Sequence, residues 1–132
     1  MFEKNNTKNK GPRSLFIVED DSLLCRALSE ELSKEGFETL CIGNGLEVQE
    51  MVDKNPPDAI LLDLVLPGLD GFAVLKQLKS ETKTSSIPVV IISNLGSAAD
   101  VKSAKSLGAE EYFIKANSEI QQIIDHVKKL VT

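Results

Sequence analysis

Ala59-Ile60-Leu61-Leu62-Asp63-Leu64-Val65-Leu66-Pro67-Gly68-Leu69-Asp70-Gly71 decides how the rest of this chain is read. Four apolar residues end abruptly in a carboxylate, and Pro67, Gly68 and Gly71 bar an immediate helix through the next positions. Asp63 is therefore expected at a strand end. In an open α/β sheet the carboxyl ends of the strands face a crevice where ligands and reacting groups collect. An isolated aspartate in such a place reads as a solvated turn acid. Asp63 is not isolated.

Three other apolar runs end in residues capable of chemistry. Leu15-Phe16-Ile17-Val18 runs into Glu19-Asp20-Asp21, Val89-Val90-Ile91-Ile92 into Ser93-Asn94, and Tyr112-Phe113-Ile114 into Lys115. Parallel strands would bring all four ends to one edge, gathering several carboxylates, a hydroxyl and an ammonium.

The intervening sequence carries helical spacing. Ser22 to Lys34 places Leu24, Leu28 and Leu32 four residues apart and stops before Gly36. Phe37 to Ile42 reads as a strand, and Asn44-Gly45 turns into a second helix with Leu46, Val48, Met51 and Val52 as its apolar stripe. Further helices are expected from about Gly71 to Ser80, from Ala98 to Leu107, and at the end with Ile120, Ile123, Ile124 and Val127 facing inward. Strands alternating with helices at this spacing imply an α/β fold: five βα units forming a doubly wound parallel sheet covered on both faces.

A chain of 132 residues fits one domain with an adequate core, and 42% hydrophobic with 27% charged residues reads as globular. The net charge of −5 disfavours direct contact with nucleic acid or anionic lipid, both of which reward a basic face. No apolar run approaches the roughly 20 residues of a membrane span, nor is there a signal peptide's apolar region, so membrane insertion is not expected and a cytoplasmic location is. Residues 1–12, rich in Asn, Lys and Gly, read as a flexible tail before a domain at 13–132. Cys25 and Cys41 lack metal-ligand spacing and are expected as buried, reduced thiols. His126, the only histidine, reads as a solvated position on the last helix.

From residue 13 to 131 the sequence resembles the receiver domains of bacterial two-component response regulators. The acid pair Glu19-Asp20, the segment Asp63 to Gly71, Ser93, Tyr112 and Lys115 carry the resemblance. It implies a flavodoxin-like (βα)5 fold with strand order 2-1-3-4-5, which periodicity alone does not supply. It also implies Mg²⁺, bound by Asp20, Asp63 and the backbone carbonyl of Val65, with Glu19 acting through water. Three crowded acids require a cation in any case, and an all-oxygen donor set suits Mg²⁺. By resemblance Asp63 is the phosphoacceptor, Lys115 and Ser93 contact the phosphoryl oxygens, and Ser93 with Tyr112 switches a face built from helix 4, strand 5 and helix 5. Val65, Asn94 and Leu95 stand where the family tunes the lifetime of the phosphorylated state. The expected partners are a histidine kinase or phosphotransfer protein and a downstream protein, with the chain a monomer or weak dimer. Because the sequence ends at Thr132, a protein contact is the expected output.

The family usually follows its lysine with a cis proline, whereas Ala116 stands here, so a trans bond and a repacked loop are expected. Other functions are disfavoured by position. A dehalogenase-like phosphatase places its DxD motif after the first strand, whereas Asp63 follows the third and has Val65 two residues on. A flavin module needs a hydroxyl- and glycine-rich phosphate loop where this chain has Glu19-Asp20-Asp21. A pseudo-receiver acting only as a docking module usually lacks one of the acids or the lysine. The expectation is a signalling protein that catalyses only its own phosphorylation and dephosphorylation.

Overall fold

Short apolar runs pair in parallel here because each is followed by a helix that carries the chain back across a face of the sheet. In the computed structural model, which describes residues 12–132, the strands are β1 Ser14–Val18, β2 Glu38–Ile42, β3 Ala59–Leu62, β4 Val89–Ser93 and β5 Glu111–Ile114. The helices are α1 Ser22–Lys34, α2 Val48–Lys54, α3 Gly71–Ser80, α4 Ala98–Ser106 and α5 Ile120–Val131. All pairings are parallel and the order is β2-β1-β3-β4-β5, as the resemblance implies. Most of residues 1–12, read above as a flexible tail, lie outside the described residues.

Alternation along the strands divides the core in two. Phe16, Val18, Ile60, Leu62 and Ile91 pack with Val48, Val52, Val74, Leu75 and Leu78, so α2, α3 and α4 cover one face. Leu15, Ile17, Leu61, Val90 and Ile92 pack with Leu28, Leu32, Ile123, Ile124 and Val127, so α1 and α5 cover the other. Central β3 and β4 are buried at every residue, which is why they read as continuous apolar runs. Edge strand β2 is mostly exposed.

Two expectations fail locally. Leu46 does not join an inward stripe but is 67% exposed, because Gly45–Glu47 forms a 3-10 turn whose three-residue period rotates it away from the face that Val48 and Val52 use. Cys25 and Cys41 are not two buried thiols: they are joined in a disulfide, their Cα atoms 6.3 Å apart, and Cys41 is exposed. Their spacing lies inside the reach of such a bond.

The amino edge of the sheet is tied together by polar contacts. Ser14 N–H donates to Asp58 Oδ2 at 2.7 Å, and Glu38 N–H to the Arg13 carbonyl at 2.8 Å. Lys79 Nζ donates to the carbonyls of Ser85 (3.0 Å) and Ile87 (2.6 Å), while the buried Thr84 hydroxyl donates to the Leu78 carbonyl at 2.6 Å. The lysine and threonine bonds satisfy the carbonyls of Ser85, Ile87 and Leu78 around the loop that leads to β4.

Candidate functional site

Register alone assembles the opposite, carboxyl edge. Val18 is level with Leu62, so the next residues, Glu19 and Asp63, emerge side by side; Ser93 is level with Ile114, so Lys115 leaves the sheet next to β4. Backbone bonds extend the alignment past the strands, Asp63 N–H to the Val18 carbonyl and Glu19 N–H to the Ile42 carbonyl, both at 2.9 Å.

Two glycines hold the segment after Asp63 close to the sheet. The N-terminus of α3 packs directly beneath it: a Cβ on Gly71 would lie 2.2 Å from the Asp63 carbonyl oxygen and 2.4 Å from Leu64 Cα. A Cβ on buried Gly45 would lie 1.8 Å from the Leu69 carbonyl oxygen, so this residue serves close approach as well as the turn read from Asn44-Gly45. Asp70 then caps α3 by accepting from Ala73 N–H at 3.1 Å.

Glu19, Asp20 and Asp63 each offer a carboxylate oxygen, all within 4.8 Å of one another. Glu19 and Asp63 are buried and Asp20 is exposed. Lys115 Nζ lies 2.7 Å from Glu19 Oε1 and 3.0 Å from Asp63 Oδ2. Burial pushes the Glu19 carboxyl above the ordinary range and the Asp63 charge adds to the rise, against the Lys115 and Asp21 hydrogen bonds. Burial alone would pull the Lys115 ammonium down, but its bonds and charge pairing with Glu19 and Asp63 outweigh that and raise it. Three carboxylates against one ammonium leave excess negative charge in a partly dry site. The donor set is entirely oxygen, which fits Mg²⁺.

Asp63, Val65, Asn94 and Lys115 line one cleft of about 290 Å³ with Glu19, Asp20 and Asp21. Asp63 is thus at a cleft, as its strand-end position suggests, yet almost wholly shielded. Val65 is 59% exposed at the rim, and its N–H donates to Asp63 Oδ1 at 3.2 Å, fixing the carboxylate's orientation. The remaining residues singled out from sequence stand behind this wall. Ser93 is fully buried, with its Oγ accepting from Leu95 N–H at 3.2 Å, and the partly buried Leu95 side chain packs against the core. The Tyr112 hydroxyl donates to the Leu95 carbonyl. Burial raises the phenol's pKa and the Asp100 charge adds to it.

Asp21 joins the site although sequence reasoning does not single it out. It caps α1 by accepting from Leu23 and Leu24 N–H at 3.1 and 3.3 Å, and its own N–H donates to Glu19 Oε2 at 3.0 Å. An aspartate just before the Ser22 helix is the signal that could have found it. After Lys115 no peptide among the described residues is cis, and the chain takes a 3-10 turn over Lys115–Asn117 before Glu119 and Gln122 form a capping box on α5. His126 is not solvated: its ring is half-buried and packs edge-on to Phe113, the centroids 5.7 Å apart. Among the described residues no helix is long and apolar enough to cross a membrane.

Residues 15–128 match the family described as response regulator receiver domain. The chain is 36% identical over 115 residues to sporulation initiation phosphotransferase F of Bacillus subtilis, covering 87% of this chain and 90% of that protein. It is 32% identical to the polar-differentiation response regulator DivK of Brucella anthropi, covering 89% and 94%. Against the sensory transduction protein RegX3 of Mycolicibacterium smegmatis it is 38% identical over 105 residues but spans only 45% of that protein. A crystal structure of a putative response regulator from Chloroflexus aurantiacus superposes with a TM-score of 0.84 at 29% identity, covering 91% of this chain and 98% of the other.

Proposed function

This chain belongs to the response regulator receiver domain family, and from that premise we propose that Asp63 is the acceptor of a phosphoryl group supplied by a histidine kinase or a phosphotransfer protein. The supporting observation is one cleft in which Asp63 stands with Glu19 and Asp20, all within 4.8 Å, and with the Lys115 ammonium 3.0 Å away. An Asp63 carboxylate oxygen attacks phosphorus in line, an O–P bond forms, and the bond from phosphorus to the donor breaks as the donor leaves. Lys115 stands where it can exchange part of its pairing with Glu19 and Asp63 for a phosphoryl oxygen, which carries more charge. Asp20, Glu19, Asp63 and the Val65 carbonyl are the residues to hold Mg²⁺, which neutralises charge on the transferring group when bound.

The switch in this reading passes through Ser93 and Tyr112. Its hydroxyl already tied to the Leu95 carbonyl, Tyr112 couples the loop after β4 to β5. A rearrangement of Ser93 toward the phosphoryl group would alter that loop and with it the face of α4, β5 and α5, where a downstream protein binds. The protein works in the cytoplasm, without nucleic-acid contact of its own.

Incubation with acetyl phosphate followed by mass spectrometry tests the assignment. One phosphoryl group should add to the wild type only with Mg²⁺, and none to Asp63→Ala. Labelling that survives either the substitution or a chelator would overturn it, and an unlabelled wild type would favour a phosphorylation-independent docking module.

A further inference from the structure

The carboxyl edge carries a second reactive pair that phosphoryl chemistry leaves unused. Cys25, on α1, is bonded to Cys41, the penultimate residue of β2. One helical turn along α1 and two residues back along β2, Ser29 and Thr39 share a hydrogen bond, so the same helix face is stitched twice to the same strand face. The halves of the disulfide differ in access, Cys25 being 3% exposed whereas Cys41 is exposed. Both line an open cleft of about 320 Å³ that also reaches Glu19, Asp20 and Arg26.

The bond closes a ring around the acid pair. From Cys41 the path runs to Ile42, whose carbonyl accepts from Glu19 N–H at 2.9 Å; from Glu19 through Asp20 to Asp21; and from the Asp21 carbonyl to Cys25 N–H at 3.0 Å. Gly43 lies against the same residues, a Cβ there meeting Asp20 Cα and the Glu19 carbonyl at 3.9 Å. The disulfide is the side-chain covalent bond that closes this ring. Without it the placement of Glu19 and Asp20 relies on hydrogen bonds and packing, and ligands held less firmly bind a geometrically demanding ion such as Mg²⁺ less tightly.

We propose that Cys25–Cys41 is a reversible thiol–disulfide centre that sets the affinity of the Glu19–Asp20–Asp63 cluster for Mg²⁺. The proposal rests on reading that cluster as the Mg²⁺ site of a cytoplasmic phosphoacceptor, a compartment where protein disulfides serve as transient or sensing groups. The reductant is a dithiol. One thiolate attacks Cys41 Sγ, the accessible half, and the Cys25 thiolate leaves; the reductant's second thiol then displaces Cys41 from the mixed disulfide. Two electrons and two protons pass to the cysteine pair, and the dithiol becomes a disulfide.

The test compares the full chain in its oxidised form, after reduction with dithiothreitol and desalting under argon, and as the Cys25→Ser/Cys41→Ser variant with and without the same treatment. Alkylation and mass spectrometry establish the thiol state, circular dichroism the fold, and calorimetry the Mg²⁺ affinity of each. Reduced wild type should bind about fivefold more weakly than oxidised, at the low end of typical couplings between sites. The double variant should match the reduced protein and ignore dithiothreitol; if it does not fold, the two wild-type states carry the comparison. Equal affinity in both states overturns the coupling and leaves the metal reading standing. Absence of Mg²⁺ binding in either state overturns both, and a native protein whose cysteines resist dithiothreitol overturns the reversible centre.

Discussion

Lys115 Nζ lies closer to Glu19 Oε1, at 2.7 Å, than to Asp63 Oδ2, at 3.0 Å. Glu19 is the more deeply buried of the two acids, its side chain only 1% exposed, so the lysine neutralises the charge that water can least reach. Replacing Lys115 with alanine should destabilise the metal-free protein by about 2 kcal/mol, less than a fully buried pair would lose because the lysine is 21% exposed. Added Mg²⁺ should shrink the deficit, since a cation that binds only the folded form replaces the lost charge. Urea unfolding with and without Mg²⁺ measures both, and stability that Mg²⁺ raises in neither protein would show that the ion does not occupy the acid cluster.

Gly71→Ala forces a methyl group to within 2.2 Å of the Asp63 carbonyl oxygen, backbone that cannot swing aside as a side chain can. We expect a loss of about 3 kcal/mol and a displaced Asp63 loop. Gly43→Ala, whose nearest neighbours would be 3.9 Å away, should cost less than about 1 kcal/mol. Equal urea midpoints for the two variants would refute the packing argument.

Val65 lines the cleft with no polar group to orient water opposite the Asp63 oxygen. Asparagine there should speed loss of the phosphoryl group about tenfold, corresponding to about 1.4 kcal/mol of barrier. Leu95 is a poorer position for this experiment, because its side chain packs on the core and an acid there would disturb folding. Decay of phosphorylated Val65→Asn, followed by mass spectrometry, should outpace the wild type; matching rates would mean that water positioning at residue 65 does not set the lifetime.

Glu111 links β5 to α4 through Lys105 at 3.1 Å and accepts from the Tyr112 N–H at 2.8 Å. The Tyr112 bond lowers its pKa most, burial opposes, and Lys105 lowers it further. A depressed acid stabilises the fold fully above its unfolded pKa of about 4.3 and loses that contribution as pH falls through the lower folded value. With the side chain 36% exposed, the contribution is below about 1 kcal/mol. Glu111→Gln should flatten the decline in stability below about pH 4.3 while leaving the Mg²⁺ response alone, and an unchanged acid limb in chemical denaturation would argue against it.

Much of the site is legible in the sequence because its parts each end an apolar run. Parallel register sets Glu19 beside Asp63, and Lys115 leaves the sheet two residues further along, where its long side chain reaches both acids. The cysteine pair is illegible for the opposite reason. Cys25 and Ser29 meet Cys41 and Thr39 only because α1 crosses β2 at one angle, a relation between elements that the period of neither encodes. Leu46 departs from its expected place because a 3-10 turn precedes α2, and helical spacing says nothing about where a helix changes period. His126 lies off the apolar stripe of its own helix, and Phe113 on β5 packs against it.

The polar ties along the amino edge make the sheet a cantilever. Asp58, Thr84 and Lys79 clamp one rim by bonds to Ser14, Leu78, Ser85 and Ile87, whereas the loops at the other rim, Asp20 to Asp21 and Asn94 to Ser97, are held by side-chain ties at Asp21 and Leu95. The clamped rim keeps the strands in register while a chemical event at the other rim acts on its loops. The Ile60 amide, bonded to the Pro88 carbonyl at 3.0 Å within buried β3, should exchange with the slowest class, opened only by global unfolding, as hydrogen exchange would check.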